Sequence, residues 1–172
     1  HRLGKKVFYS NNLRQKVLEV SPSGLIPAYL WDFGKYNMDS RLDYYLSLEN
    51  PNDRNNAIID EIGTPMRPFS LRQQAQNQKY SYASLVKELE MRPLMTHVFY
   101  DKENNRSFAF DYLDEQCELN FPLYMDDECF ISDIYYDKRE TYKSILPESE
   151  YKKLEAMLED DNPCLLKLYF KK

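Results

Sequence analysis

Apolar and polar residues alternate with period two along several stretches of the chain, the signature of half-buried strands. In residues 5–10, Val7 and Tyr9 alternate with Lys6 and Phe8. In residues 13–21, Val17, Glu19 and Ser21 alternate with Leu18 and Val20. The turn signal Ser10-Asn11-Asn12 joins the two stretches, so an N-terminal β-hairpin is expected. The last third reads as an antiparallel meander. Residues 94–101 and 106–114 flank a hairpin connection at 102–105, and Phe108, Phe110 and Tyr112 share one face. Cys117, Leu119, Phe121, Leu123 and Met125 alternate in an expected third strand. Residues 129–137 and 164–170 complete the set.

A 3.6-residue period takes over in the middle. Ser40 and Asp43 form a capping pair ahead of Leu42, Tyr45 and Leu46, and Asn50-Pro51 closes that helix. Residues 52–62 predict a second helix, with Ile58, Ile59 and Ile62 on one side and Gly63 at its C-terminal cap. Residues 64–69 read as a proline-containing link. Ser70 and Gln73 then predict a third helix, with an apolar stripe of Leu71, Ala75, Tyr82, Leu85 and Leu89 that ends at Arg92-Pro93. Pro147 opens a late helix in which Tyr151, Leu154, Met157 and Leu158 point one way, and Asn162-Pro163 stops it. The expected fold is therefore α+β: an N-terminal β-hairpin, central helices, and a C-terminal, mainly antiparallel meander with a late helix. The helices are expected on one side of the sheet. Residues 1–172 fit one domain. The start at His1 points to a fragment of a longer chain.

Composition changes this picture in two places. Aromatic residues make up 15% of the chain, mostly through 15 tyrosines, and there are only 4 glycines. Tyrosine suits half-buried surfaces and interfaces. Scarce, scattered glycines leave no G-x-G-x-x-G or P-loop pattern. Three cysteines, Cys117, Cys129 and Cys164, lack disulfide or zinc spacing, which reads as a reducing compartment and an intracellular protein, cytoplasmic or nuclear. No apolar run is long enough to span a membrane. The net charge of −5 is uneven, with a basic start and acidic clusters such as Asp126-Asp127-Glu128.

Candidate chemistry is sparse. His97 lies in a strand on the side of Met95 and Phe99 and reads as a strand histidine, packed on or beside the core or facing water, and not as a catalytic base. Cys117 and Cys164 read as small core residues. Asp126, Asp127, Glu128, Asp133 and Asp137 are the candidate carboxylates for a metal, and their spacing matches no ligand loop. No catalytic residue, metal ligand or cofactor is assigned. The run Leu25-Ile26-Pro27-Ala28-Tyr29-Leu30-Trp31-Asp32-Phe33-Gly34 is distinctive but fits no motif with a known mechanism.

The function this pattern predicts is a non-enzymatic protein–protein interaction module, a subunit or scaffold of an intracellular complex. Its partner surface would be Tyr100, Tyr124, Tyr135, Tyr136 and Tyr169 with Asp126, Asp127 and Glu128, against another protein. One alternative is a nucleic-acid-associated module that uses the basic hairpin residues Arg2, Lys5, Lys6, Arg14 and Lys16. Another is a divergent metal-dependent enzyme built on acids near Asp133.

Overall fold

The computed structural model describes residues 1–11, 14–34, 37, 39–62, 70–89 and 92–171. Eleven strands form three antiparallel sheets, joined by three α-helices and one 3₁₀ helix among the described residues. The protein is mixed α+β and mostly sheet.

The first sheet places β1 (Arg2–Leu3), β2 (Lys6–Ser10), β3 (Lys16–Ser21) and β4 (Gly24–Leu30) side by side in chain order. The expected hairpin is its middle pair, with Val7 opposite Val20 and Tyr9 opposite Leu18. The apolar run after Gly24 supplies the fourth strand. A register shift between Val17 and Leu18 marks a bulge against β4. Phe8 and Val17 are buried, whereas Val7, Tyr9, Val20 and Leu25 stay exposed on the opposite face.

Helices α1 (Asp39–Ser47) and α2 (Pro51–Ile62) follow, packed on each other. Gly63 and the link 64–69 lie outside the described residues. The predicted third helix does not form. Residues 70–89 are two strands, β5 (Ser70–Gln76) and β6 (Tyr80–Leu89), which continue into β7 (Arg92–Asp101) and β8 (Arg106–Phe110) as a second four-stranded meander. Two causes defeat the helical reading. Asn77 builds a turn, its Oδ1 accepting the backbone N–H groups of Lys79 and Tyr80. Residues 81–86 are also buried on both faces, so the chain shows no period-two polarity there. The connection at 102–105 is a turn, with Asn105 at φ 51.

The third sheet holds β9 (Tyr124–Met125), β10 (Cys129–Ile134) and β11 (Cys164–Tyr169). The expected strand over 117–125 is reduced to β9. Upstream, Cys117 makes only an isolated bridge to Asp114, and Pro122 has no N–H to offer a ladder. Cys117 and Leu119 are buried even so. The strand expected over 129–137 stops at Ile134, where the 3₁₀ helix Tyr136–Tyr142 begins. Pro147 precedes α3 (Glu148–Glu155), which buries Tyr151 and Leu154. Met157 is buried beyond its end, but Leu158 is 62% exposed and leaves the predicted stripe.

The second sheet is covered on both faces, not by helices on one. On one face Leu71, Ala83, Leu85 and Val98 meet Phe8, Val17 and Trp31 of the first sheet's chain segment. On the other, Tyr82 with Phe99 and Phe110 meets Phe130, Ile134 and Leu166 of the third sheet, closed by Tyr142, Tyr151 and Leu154. The first strands lie side by side, β1 against β5 and β5 against β9.

Candidate functional site

Where the first and second sheets diverge, they leave a groove of about 800 Å³. One wall is the continuation of β4, with Tyr29, Trp31 and Phe33. Trp31 and Phe33 stack with ring planes 3° apart, and Tyr29 meets Trp31 edge-on. Trp31 is only 7% exposed, and its Nε1–H donates to Gln74 Oε1 at 3.0 Å, which fixes the indole. The other wall is the facing side of β6, β7 and β8: Ser81, Leu85, Thr96, Val98, Tyr100, Ser107 and Ala109. In the register Val98 sits between Ala83 and Ala109, and Tyr100 between Ser81 and Ser107. Large rings therefore oppose small side chains, and this mismatch of size keeps the groove open.

The two ends of the groove differ in charge. At one end Tyr29 Oη and Gln76 Nε2 both reach His1 Nε2 at 3.2 Å, and Lys102 Nζ donates to Gln76 Oε1 at 3.2 Å and to the Asn77 carbonyl at 2.7 Å. Desolvation lowers the Lys102 pKa, partly offset by the charge of Asp127. From Tyr29 to Trp31 the contact moves from the level of Gln76 back to Gln74, so Asp32 and Phe33 lie toward the Leu85–Thr96 end. Asp32 Oδ1 accepts the Gly34 N–H and Asn37 Nδ2, which hold its carboxyl below the usual range.

Of the tyrosines singled out by sequence, only Tyr100 lines this groove, and its hydroxyl donates to Asn105 Oδ1 at 2.8 Å. Tyr124 and Tyr169 share the outer face of the third sheet, on the side of Ile131 and Leu165. Tyr135 is also exposed and hydrogen-bonds Asp133, whose charge raises its pKa. Tyr136 is half-buried, with the Arg139 guanidinium 3.8 Å from its ring centre. The acidic trio forms a turn: Asp126 Oδ1 accepts the N–H groups of Cys129 and Glu128, Asp127 Oδ1 accepts that of Gln78, and Glu128 is exposed. Those two backbone donors hold the Asp126 carboxyl below its ordinary value.

The basic residues do not line one groove. Lys6 pairs with Glu19 at 2.9 Å and Arg14 with Asp43 at 2.7 Å. Arg2 lies opposite Val7 on the first sheet's exposed face, whereas Lys6, one residue away from Val7, points to the other; Lys5 is in the intervening turn and Lys16 is exposed beside buried Val17. Among the described residues, no three His, Cys, Asp or Glu side chains converge as a metal would need.

His97 is fully buried. Its Nδ1 accepts the Tyr82 hydroxyl at 2.8 Å, and its Nε2–H donates to the Leu119 carbonyl at 2.9 Å. Burial pushes its pKa down to about 4, against a backbone hydrogen bond to Leu119 and the charge of Asp111. A neutral ring with both nitrogens engaged is a core strut. Cys117 and Cys129 are buried free thiols, and half-buried Cys164 contacts Met157 sulfur at 3.9 Å.

Sequence reasoning missed Trp31, Phe33, Thr96, Val98 and Lys102 as one group. The signal available was the aromatic run 29–33; the opposite wall comes from residues 81–109 and could be assembled only in three dimensions.

No protein-family model matches the chain, and no curated protein matches it in sequence. One solved structure does match: a protein of Bacteroides fragilis NCTC 9343 named a "putative exported protein", at TM-score 0.68 and 17% identity. The match covers 100% of this chain and 49% of that one, so the chain spans about half the length of its structural neighbour. A neighbour named as exported overturns the expectation of an intracellular scaffold or complex subunit, cytoplasmic or nuclear. The cysteine argument behind that expectation fails for a physical reason: thiols packed in cores stay free whatever the compartment's redox poise.

Proposed function

We propose that this chain is part of an exported protein of β-propeller type that binds a small organic ligand in the aromatic groove between its first and second sheets. Export rests on the likeness to a protein named as exported. The propeller reading is supported by consecutive antiparallel meanders, stacked face to face with their first strands adjacent. Three sheets in 49% of the neighbour's length scale to about six in the whole, within the roughly four to eight blades of propellers. Further sheets would cover the apolar outer faces now open: Val7, Tyr9, Val20 and Leu25 on the first sheet, Tyr124, Leu165 and Tyr169 on the third.

The groove carries the functional reading. Its volume of about 800 Å³ falls inside the range of roughly 300–1,000 Å³ typical of small-ligand sites. Its lining has the matching character, an apolar and aromatic body with a few polar groups at the ends. Trp31 is the only tryptophan of the 172 residues and sits in the wall, so its emission reports on the groove. Titration with 1-octanol, a neutral apolar probe, should shift Trp31 emission saturably. Ala109→Phe, on the exposed edge strand β8, should fill the groove and weaken the response about tenfold or more. An unchanged emission with octanol and with its charged analogue octanoate would remove the binding site.

A further inference from the structure

We infer that the groove selects ligands with an anionic head and an apolar tail, the head at Lys102 and the tail along Trp31 and Phe33. This inference rests on the binding reading above and names the chemistry of its ligand.

The argument begins with charge. Among the described residues that line the groove, Lys102 is the one cation and Asp32 the one anion. They stand at opposite ends. An ammonium carries three N–H donors. Lys102 Nζ gives two of them, to Gln76 Oε1 and the Asn77 carbonyl, which leaves one for a bound oxygen. Those two acceptors also fix the position of the charge, so a ligand need not order a loose lysine. Desolvation acts on this ammonium, and a partly dehydrated cation gains more from an anionic partner than one in open water. Gln76 and Ser81 beside it are buried polar residues that suit a polar head and not a methyl end.

The far end has the opposite chemistry. The Asp32 carboxylate is held ionised by the Gly34 N–H and Asn37, so an anion entering that end first meets a like charge. Between the ends, Val98 and Ala109 line the groove with Trp31, and Leu85 and Phe33 continue it toward Asp32. From Tyr100 to Thr96 the strand makes four residue steps, about 13 Å at roughly 3.3 Å per residue. That length suits a medium-chain or single-ring organic acid. A longer tail would leave the groove at the Asp32 end.

Isothermal titration calorimetry on the full chain with octanoate and 1-octanol, two probes of equal tail length, separates head from tail. Octanoate should bind at least about tenfold more tightly than octanol. Lys102→Met should remove that preference by weakening octanoate about tenfold, and Lys102→Arg should restore most of it. Raising salt should weaken octanoate and spare octanol. Octanol binding that equals or exceeds octanoate binding, or a Lys102→Met chain that keeps its preference, overturns the inference while leaving the binding reading intact. Failure of both probes removes the two together. A cooperative thermal melt of Lys102→Met near that of the parent shows that the change acts on recognition and not on folding.

Discussion

At the scale of single residues, the aromatic and charged side chains divide into two kinds. Tyr82 and His97 satisfy each other in the core, and burial keeps both neutral. Trp31, Lys102 and Asp32 are anchored by one or two hydrogen bonds each and still face open volume. The first kind sets pH dependence. The His97 pKa, about 4 in the fold, lies below its ordinary value of about 6.5. Above pH 6.5 neither the folded nor the unfolded state binds the proton, and the ring's full contribution is present. As pH falls below 6.5 the unfolded chain protonates first and is favoured by about 1.4 kcal/mol per pH unit, until the folded ring titrates near 4. Urea unfolding at pH 7 and pH 5 should therefore show a loss of about 2 kcal/mol from this group. His97→Gln should lower stability at pH 7 but remove that share of the slope. Equal slopes in the parent and His97→Gln would show that the ring titrates freely and is not a buried neutral strut.

At the scale of elements, legibility followed exposure. The β2–β3 pair was readable because one side of each strand is wet, and the turn at 102–105 because its residues are polar. The late helix was readable from Pro147 and its acidic first turn. The segment 70–89 was not, because residues 81–86, buried on both faces, have no alternation to display, and Leu71, Ala75, Tyr82 and Leu85 happen to fit a helical spacing. Asn77 decides the matter locally. It is buried, accepts two N–H groups in its own turn, and donates Nδ2 to the Asp126 carbonyl at 2.6 Å, which ties the second sheet to the third. Asn77→Ala strips three hydrogen bonds from a buried site and should cost about 2–3 kcal/mol in urea unfolding at pH 7. A cost within about 0.5 kcal/mol, typical of surface changes, would mean that the turn is held by its neighbours alone.

At the scale of the molecule, three short meanders share two cores, one on each face of the second sheet. No single stretch of sequence carries that arrangement, since it depends on which faces meet. The groove is a consequence of it. Sheets whose first strands touch must diverge outward, and the divergence opens between rings at 29–33 and small residues at 81–109. The tyrosines that sequence reasoning gathered into one partner surface lie on different sheets, Tyr100 in the groove and Tyr124 and Tyr169 on the outer face of the third sheet. These two surfaces make opposite predictions for where a small apolar acid lands. The most direct measurement is a ¹⁵N-resolved titration of the chain with octanoate, following the Trp31 indole N–H and the backbone amides. The groove reading predicts saturable shifts at Trp31, Phe33, Val98, Tyr100, Ser107 and Ala109, with Tyr124, Leu165 and Tyr169 unmoved. Shifts gathered on Tyr124, Leu165 and Tyr169, or scattered without saturation, would contradict it.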